Sequence, residues 1–488
     1  MDAFKLYIDG QFVTGAASFT SLNPATAEPW ATIAGAEQQE TDRAVEAAAR
    51  AFTSEAWRDL TASARGKLLL RLADLIERDA ARLARIETLD TGKIIRETQA
   101  QIAYVAEYYR YYAGMADKME GATLSIDKPD METWVRREPV GVVAAIIPWN
   151  SQLFLSAVKI GPAIAAGCTL VVKAAEVAPA PLLALAELID EAGFPPGVIN
   201  VITGFAEQCG ARLTAHPLID HIAFTGGAET ARHIIRGSAE NLASTSLELG
   251  GKSPFIVFAD ADLESAANAQ VAAIFSASGQ SCVAGSRLLV EASIKEAFIE
   301  RLVSKVRSIV IGCPQQPETQ FGPLCTLRQK QNIEQVVSRS LEQGAKLIIG
   351  HEPVHKPGFY YPPTILDCSS VPAAESVVQE LFGPVLSVLT FSGEGDALRL
   401  ANGTEYGLAA GVFTQNLTRA HRITRQLRSG VVWLNTYRAV SPLAPFGGYC
   451  KSGFGREGGT DAAFEYTTTK TVWLRTSDEP IDDPFIMR

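Results

Sequence analysis

The stretch that decides the fold is residues 139–176, which read PVGVVAAIIPWNSQLFLSAVKIGPAIAAGCTLVVKAAE. Short apolar runs at 142–147 and 169–173 flank an alanine-rich segment of helix length at 153–166. Because a helical crossover returns the chain in its original direction, the pattern predicts two parallel strands of one sheet. The uncharged part is long enough to span a membrane, but its polar centre, Pro148-Trp-Asn-Ser-Gln152, would lie in hydrocarbon. We therefore interpret it as a strand, a turn and a helix.

The same alternation extends on both sides of this stretch. Residues 41–115 carry apolar side chains near a helical period, which predicts a run of helices. Further apolar runs, separated by helical segments at 180–192, 206–214 and 228–239, follow at 198–203, 221–225 and 245–249. A second series has a helix at 262–277 and apolar runs at 253–258, 287–290, 385–391, 409–414 and 430–435. The chain thus predicts an α/β fold with two doubly wound parallel sheets.

Two extended stretches fit neither sheet. Residues 131–136 and 468–475 alternate polar and apolar side chains, as strands with one solvated face do. Because they lie outside both predicted cores, we expect them to form a protruding ribbon that joins subunits.

Composition narrows the class of protein. The 488 residues carry 44 Lys plus Arg against 54 Asp plus Glu, a formal charge of −10, without the basic clusters that nucleic-acid binding needs. The 47% hydrophobic content supports large cores and excludes disorder. Charged residues interrupt the N-terminus, which argues against a secretory signal. The seven cysteines contain no Cys-x-x-Cys pair, and with six scattered histidines we expect no metal site. We expect a soluble, reduced, cytoplasmic protein with no membrane or nucleic-acid partner.

Cys282 is the candidate nucleophile. It lies in Gly279-Gln-Ser-Cys282, where small neighbours would let a substrate reach the sulfur. A thiolate is a strong nucleophile, although a free cysteine is ionised only slightly at neutral pH and needs local help. A buried structural cysteine is the alternative for any single position.

Two polar residues at predicted strand ends could assist it. Glu248 ends the run 245–249, where burial would raise its pKa toward that of a general base. An ion pair with Lys252 is the alternative. Asn150 follows the run 142–147, and its amide could donate to a developing oxyanion. The alternative for Asn150 is a cap on the helix that follows.

Other strand ends are typical of nucleotide binding. Lys173 and Glu176 close the second strand, where an acidic residue commonly binds ribose hydroxyls. Gly226 and Gly227 open the helix at 228–239, where glycines admit phosphate oxygens to backbone N–H groups. A full Gly-x-Gly-x-x-Gly is absent at this position, and a tight turn explains these glycines equally well. Strand ends pointing one way, together with Cys282, indicate a nucleotide-linked enzyme with a cysteine nucleophile.

These segments also resemble the NAD(P)-dependent aldehyde dehydrogenases of the hydrolytic, non-acylating type, over nearly the whole chain. The matching motifs are Ile147-Pro-Trp-Asn150, Lys173-Ala-Ala-Glu176, Phe224-Thr-Gly226, Leu247-Glu-Leu-Gly-Gly-Lys252, Gly279-Gln-Ser-Cys282, Glu380-Leu-Phe-Gly-Pro384, Tyr406-Gly-Leu-Ala409 and Pro445-Phe-Gly-Gly-Tyr-Cys-Lys-Ser-Gly453. The resemblance implies an NAD-binding domain at 1–116 and 140–250, a catalytic domain at 251–450, and an oligomerisation ribbon at 117–139 and 466–488. It also implies a homodimer or homotetramer.

The resemblance implies a role for each group. Cys282 would attack the aldehyde, Asn150 and the Cys282 N–H would hold the oxyanion, hydride would leave for NAD, and Glu248 would activate water to hydrolyse the thioester. A Glu at 248 favours hydrolysis over transfer to coenzyme A, because similar acylating enzymes lack this base. The implied cofactor-binding residues are Ile147, Trp149, Lys173, Glu176, Gly226, Gly227, Leu249, Glu380 and Phe382.

A carboxylate at Glu176 would repel a 2′-phosphate, which favours NAD over NADP. Three positions depart from the family pattern. Ala174 replaces the usual proline, Gly227 replaces a frequent serine, and Ser151 stands where many relatives carry an aromatic residue. The change at Gly227 removes a hydroxyl from the pyrophosphate region.

The implied substrate is an aldehyde, and the implied tunnel lining is Ser151, Leu155, Val158, Phe275, Ser281, Val283, the loop 437–443 and Phe446. Small Ser151 suggests room for a bulky or aromatic aldehyde. Arg438 could favour an acidic substrate, but a solvated surface arginine is the preferred interpretation. No aromatic cage for a quaternary ammonium is evident, which weakens betaine aldehyde as substrate. Rival functions are a cysteine-dependent esterase or thioesterase and a non-catalytic NAD-binding protein of the same fold.

Overall fold

The computed structural model describes residues 1–350 and 354–486. Its strands are β1 (Asp2–Phe4), β2 (Leu6–Ile8), β3 (Gln11–Val13), β4 (Ala17–Asn23), β5 (Glu28–Gly35), β6 (Ala122–Leu124), β7 (Met131–Pro139), β8 (Val142–Ile147), β9 (Thr169–Ala174), β10 (Ile199–Thr203), β11 (His221–Gly226), β12 (Ser244–Leu249), β13 (Pro254–Val257), β14 (Arg287–Glu291), β15 (Lys346–Ile349), β16 (Thr364–Asp367), β17 (Val385–Phe391), β18 (Tyr406–Gly407), β19 (Ala409–Phe413), β20 (Val431–Leu434), β21 (Tyr449–Cys450), β22 (Gly453–Phe454) and β23 (Thr467–Arg475).

The α-helices are α1 (Gln38–Thr53), α2 (Glu55–Arg58), α3 (Ala62–Arg78), α4 (Ala80–Thr91), α5 (Ile95–Met115), α6 (Gln152–Ala166), α7 (Ala180–Ala192), α8 (Ala211–Thr214), α9 (Ala228–Ser238), α10 (Leu263–Phe275), α11 (Lys295–Arg307), α12 (Leu327–Glu342), α13 (Glu375–Val378), α14 (Glu394–Ala401), α15 (Leu417–Gln426) and α16 (Gly459–Glu465). A π-helix at Ala206–Gly210 leads into α8, so the helix predicted at 206–214 changes its winding midway.

The first sheet has the strand order β22-β12-β11-β8-β9-β10-β2-β3. The strands β12, β11, β8, β9 and β10 run parallel, with α6, α7 and α9 in the crossovers between them. From β8 the chain adds β9 and β10 on one side and then crosses back to add β11 and β12 on the other side. The gap between β8 and β11 is therefore a topological switch point. Crevices for ligands form at the carboxyl ends of strands at such points.

The second sheet has the order β15-β16-β17-β14-β13-β19-β20 and is parallel except for β15. Separate apolar clusters cover its two faces. The buried guanidinium of Arg287, at the start of β14, donates to the carbonyls of Lys252, Leu400 and Ala401 at 2.8, 2.7 and 2.7 Å. The prediction of two doubly wound parallel sheets is confirmed.

The two extended stretches outside these sheets pair with each other. All nine residues of β23 lie antiparallel to β7, and β6 lies on the other side of β7. Leu124, Trp473 and Leu474 on this small sheet are exposed. Residues 487–488 of the predicted ribbon lie outside the described residues.

After the second sheet the chain returns to the first one. The strand β22 pairs with β12, and the Leu249 N–H donates to the carbonyl of Ser452 at 3.0 Å. Ala462, Ala463 and Tyr466 join the apolar core of the first sheet. Residues 451–465, which the predicted domain boundaries left unassigned, therefore belong with the first sheet. Within the described residues, no helix combines the length and apolar character that a membrane crossing needs.

Candidate active site

The carboxyl ends of β8, β9, β11 and β12 meet at one edge of the first sheet. Asn150 follows β8, Lys173 lies near the end of β9, and Glu248 of β12 stands in register with Thr225 of β11. Parallel strands all present their carboxyl ends at the same edge, so residues distant in sequence come together there. The predicted convergence of strand ends is therefore a property of the fold.

A strained loop places Cys282 at this edge of the first sheet. Ala277, Ser278 and Gly279 have φ of 51°, 54° and 75°, and non-glycine residues reach this left-handed region at a cost. The Ala277 N–H donates to the two carboxylate oxygens of Glu97 at 2.9 and 3.1 Å. A Cβ at Gly279 would overlap the backbone of Gly383. The loop is thus held from α5 and from the segment before β17, which fixes the position of the sulfur.

Cys282, Glu248 and Asn150 line one cavity of about 410 Å³ between the two sheets. Its size lies within the range of small-molecule sites, and apolar side chains form much of its wall. Charged side chains also reach it, namely Lys93, Glu97, Arg438 and Glu457.

Burial raises the pKa of the Cys282 thiol to about 12, with Glu380 and Glu248 adding to the shift and Arg438 opposing it. The side chain is partly exposed to the cavity, unlike the buried Cys168, Cys209 and Cys325. Its N–H donates no hydrogen bond to any acceptor within the described chain. The sulfur is accessible but needs a base, and a backbone donor is free beside it.

Glu248 is a buried carboxylate with no hydrogen-bond partner among the described residues. The side chain is 5% exposed, and neither oxygen has a partner within residues 1–350 and 354–486. Burial raises its pKa well above the usual range, Glu457 adds to the shift, and Lys159 and Arg456 oppose it. The ion pair with Lys252 does not form among the described residues. A buried carboxylate facing a cavity with a raised pKa is suited to accept protons.

Asn150 holds the loop of Cys282 from the opposite side. Its Nδ2 donates to the carbonyl of Gln280 at 3.0 Å, and the second N–H of the amide remains available. Ser151, not Asn150, is the N-cap residue of α6. The helix-cap alternative is therefore not observed.

A charged network next to Glu248 was not predicted. Lys159 forms a hydrogen-bonded ion pair with Glu457 and donates to Thr225 Oγ1 at 2.6 Å, and Thr225 Oγ1 donates to Glu457 at 3.3 Å. Lys159 is the single charged residue of α6, which is otherwise apolar and mostly buried. That lone lysine was the available signal, because a buried cation needs a partner. The network connects the catalytic edge to the segment before α16.

The predicted cofactor residues lie along the same edge. Lys173 Nζ is 3.6 Å from the Glu176 carboxylate, and the Trp149 and Phe382 rings meet edge-on at 5.3 Å. Glu380 accepts from the Gly251 N–H at 3.0 Å, and a Cβ at the neighbouring Gly250 would overlap its carboxylate.

Three more of the predicted cofactor residues have surroundings that differ from one another. Gly227 is the N-cap of α9, and the space where its Cβ would be is open. Backbone N–H groups and free space at a helix N-terminus fit a pyrophosphate. Leu249 reaches the cavity wall. The Ile147 side chain, 1% exposed, is buried in the apolar core of the first sheet.

The cavity contains most of the predicted substrate lining, namely Ser151, Leu155, Val158, Ser281, Val283, Phe446 and residues 438–441. Phe275 is a correction, because it is 4% exposed and packed in an apolar cluster on one face of the second sheet. Phe275 is the last residue of α10, and the chain turns toward the cavity at the next residue. The local sequence pattern does not predict that turn. Tyr104, Tyr108 and Phe154 also line the cavity, so it has more aromatic surface than expected.

Arg438 is a second correction. It lines the cavity, and its Nη1 donates to the carbonyls of Ala272 and Ala273 at 3.3 and 3.4 Å. The preferred interpretation as a solvated surface arginine is therefore incomplete, because Arg438 is only partly exposed and also lines the cavity.

The fold brings a partly exposed cysteine and a buried carboxylate into one cavity and places a glycine at the N-terminus of a helix of the first sheet. This arrangement fits an enzyme with a reactive cysteine and a nucleotide site. Residues 12–472 match the family described as the aldehyde dehydrogenase family. The chain is 68% identical, over the full length of both proteins, to (Z)-2-((N-methylformamido)methylene)-5-hydroxybutyrolactone dehydrogenase of Acinetobacter baylyi. It is 40% identical to betaine aldehyde dehydrogenase of Bacillus subtilis, over 98% of each chain.

The fold is similar to solved structures of the same kind. A betaine aldehyde dehydrogenase from Staphylococcus aureus, solved with NAD+, matches with a TM-score of 0.96 and 37% identity, over 98% of this chain and 95% of the other. The chain belongs to the aldehyde dehydrogenase family, and it is an aldehyde-oxidising oxidoreductase.

Proposed function

We propose that the protein oxidises an aldehyde to its carboxylic acid through a thioester on Cys282, with NAD as the acceptor. The observation that carries the proposal is the meeting of Cys282, the unpartnered Glu248 carboxylate and the Asn150 amide in one cavity. These groups supply a nucleophile, a base and an oxyanion donor, which is the set that acyl chemistry requires.

In the first step the Cys282 thiol loses its proton and the sulfur attacks the aldehyde carbon. The raised thiol pKa means that higher pH favours this ionisation, and the partly exposed sulfur can give its proton to solvent in the cavity, so that Glu248 stays available for the second step. The free N–H of Cys282 and the second N–H of Asn150 then donate to the oxyanion. Each such donor stabilises the transition state by about 2.7–4 kcal/mol.

In the second step water attacks the thioester, and Glu248 accepts its proton. Lys159, Thr225 and Glu457 form a hydrogen-bonded chain next to Glu248, with Thr225 in register with it. We assign this chain the role of moving the proton away from Glu248, so that the carboxylate is ready for another turnover.

The cofactor would be held at the edge of the first sheet. We assign Lys173 and Glu176 to the adenosine ribose, Gly226 and Gly227 to the pyrophosphate, and Glu380 to the nicotinamide ribose. When bound there, NAD supplies the acceptor for the hydride that the aldehyde loses. The Glu176 carboxylate would repel a 2′-phosphate, which favours NAD over NADP. Residues 1–116 and 140–250 would then form the NAD-binding domain and 251–450 the catalytic domain.

The substrate class follows from chemistry. The relative from Acinetobacter baylyi is named for a 5-hydroxybutyrolactone. Such a ring is a cyclic hemiacetal ester, and its open form carries an aldehyde and a carboxylate on one chain. We propose that this protein acts on an aldehyde of that kind.

The esterase alternative uses Cys282 and Glu248 without a nucleotide. It leaves the Lys173–Glu176 pair and the open helix N-terminus at Gly227 unexplained. A non-catalytic protein would have no use for an unpartnered buried carboxylate beside an accessible cysteine, because burying such a group costs stability.

The experiment that tests the proposal is an NADH assay with the purified protein and a panel of neutral, aromatic and carboxylated aldehydes. We expect NADH without added coenzyme A, and at least about tenfold slower reduction of NADP, since a repelled 2′-phosphate loses about 1.4 kcal/mol or more of binding. Ester hydrolysis without any NADH formation would support the esterase instead. Tight NAD binding with no turnover on the panel would support a non-catalytic role.

The rate should rise with pH. Burial raises the pKa of both Cys282 and Glu248, so each group loses its proton at a higher pH than an exposed cysteine or glutamate does, and each has to lose it to react. We expect the initial rate to increase from about pH 7 to about pH 10. Stability should change in the opposite direction. A raised pKa stabilises the folded state below the ordinary pKa of the group, and that contribution is lost as the pH rises. A rate that is flat or falls over this range, measured while the melting temperature shows a folded protein, would contradict the assignment.

We also propose that the sheet of β6, β7 and β23 joins subunits into a homodimer or homotetramer. Its exposed Trp473 and Leu474 lie on a long strand at the edge of that sheet, and exposed apolar strands seek partners. Light scattering should give a multiple of the 52.3 kDa chain mass. The double variant Trp473→Glu, Leu474→Lys should shift the mass toward the monomer, while Leu242→Lys, another exposed position, should not. An unchanged mass would place the interface elsewhere.

A further inference from the structure

Arg438 differs from the other charged residues of the cavity. The Lys93 ammonium donates to Glu87, Gln101 and Ser151 at 2.5, 2.7 and 3.2 Å, so its hydrogen-bonding capacity is used. Glu457 is paired with Lys159. Arg438 has no carboxylate within ion-pair distance in the described parts of the chain. The charge of Arg438 opposes the rise that burial causes in the pKa of Glu97, but no side chain of the described residues neutralises Arg438 by contact.

The guanidinium is only partly engaged. Its Nη1 donates to the carbonyls of Ala272 and Ala273, near the carboxyl end of α10. Within the described residues Nε and Nη2 donate to nothing, and neither belongs to the buried polar atoms that lack a partner. Both nitrogens are thus accessible to solvent, and the residue itself lines the cavity. A guanidinium with free N–H groups is the side chain best matched to a carboxylate.

The backbone holds Arg438 in this position. Its φ of 62° lies in the left-handed region, and its neighbour Tyr437 donates from its hydroxyl to the Val283 carbonyl at 2.9 Å. Val283 directly follows Cys282. The loop that carries the cation is therefore tied to the loop that carries the nucleophile, so the distance between the two is set by the fold.

We infer that Arg438 is the specificity-determining residue of this site and binds the carboxylate of a carboxylated aldehyde. The inference rests on the proposed function, in which the opened 5-hydroxybutyrolactone ring carries such a group. The same charge disfavours a cationic aldehyde, since like charges repel in a cavity of low polarity. The aromatic side chains Tyr104, Tyr108 and Phe154 then contact the apolar part of the substrate and not a quaternary ammonium.

The test compares 4-oxobutanoate with its methyl ester, which has the same four-carbon chain, one added methyl group and no charge, on the wild type, Arg438→Gln and Arg438→Lys. Glutamine keeps an N–H donor but has no charge and is shorter than arginine, so the uncharged ester reports any loss of helix capping and the acid reports the loss of charge. We expect Arg438→Gln to lower kcat/KM for the acid by about 10–100-fold, mainly through KM, and to change the ester by less than about threefold. Arg438→Lys should recover part of the loss.

Arg425→Met removes an exposed arginine charge from α15 and is the matched control, with no expected effect on either substrate. An equal loss on acid and ester would assign Arg438 a structural role and overturn the inference. Unchanged kinetics on both substrates would also overturn it. A wild type that oxidises neither compound nor any other aldehyde would refute the proposed function itself.

Discussion

Cys282→Ala should lower the rate of NADH formation by at least about 10⁴-fold, because alanine has no atom that can form a bond to the aldehyde carbon. The remaining groups of the cavity can bind and polarise the aldehyde but cannot hold it covalently. The substitution removes one sulfur from a cavity wall, so the fold should persist. Absorbance of NADH reports the rate, and the melting temperature reports the fold.

Cys313→Ala is the matched control. Cys313 is an exposed cysteine outside the cavity, and its loss should leave the rate within about twofold, as for most surface substitutions. NAD binding should survive in both variants. A Cys282→Ala protein that keeps more than about a tenth of the wild-type rate would show that the sulfur is not the nucleophile.

Glu248→Gln should separate oxidation from hydrolysis. The amide keeps the shape of the side chain but cannot accept a proton, so water activation fails and steady-state turnover should fall about 10²–10⁴-fold. Oxidation precedes hydrolysis, and rapid mixing should therefore show a burst of NADH of about one equivalent per active site. Mass spectrometry should find the acyl group on the enzyme.

Hydroxylamine provides a direct check of this interpretation. It is a stronger nucleophile than water and attacks a thioester without a general base. Added after the burst, once free aldehyde has been removed, it should release the acyl group of Glu248→Gln as a hydroxamate and regenerate the thiol. Glu405→Gln, which changes an exposed carboxylate paired with Lys451, should behave as the wild type. The absence of both burst and acyl adduct would mean that Glu248 is needed before the thioester forms, for deprotonation of Cys282.

The sequence predicted those parts of the fold and site that depend on neighbouring residues. The run at 142–147, the helix after it and the run at 169–173 became β8, α6 and β9, because apolar periodicity and length are local properties. Parallel crossovers then bring strand ends together, which is why Asn150 and Glu248 could be named in advance. The extended pattern at 131–136 and 468–475 likewise became the paired strands β7 and β23.

Residues whose role depends on distant partners were missed or misinterpreted. Lys159 and Glu457 are 298 residues apart in the sequence, and no local sequence pattern predicts the ion pair between them. Phe275 and Ser276 are adjacent, yet the first enters the core and the second lines the cavity, because the chain turns between them. Arg438 looked like a surface arginine until its loop was placed against α10.

The sequence by itself determined the two parallel sheets, the paired ribbon strands, the family and the identity of the nucleophile, base and oxyanion donor as candidates. Only the tertiary structure decided which charges are neutralised and which remain free. Lys93 is neutralised by Glu87, Lys159 by Glu457, and Arg438 by no carboxylate in contact with it within the described chain. The physical reason is that strand and helix formation follow from short-range periodicity, whereas an ion pair needs two atoms within a few ångströms, and folding alone sets that distance.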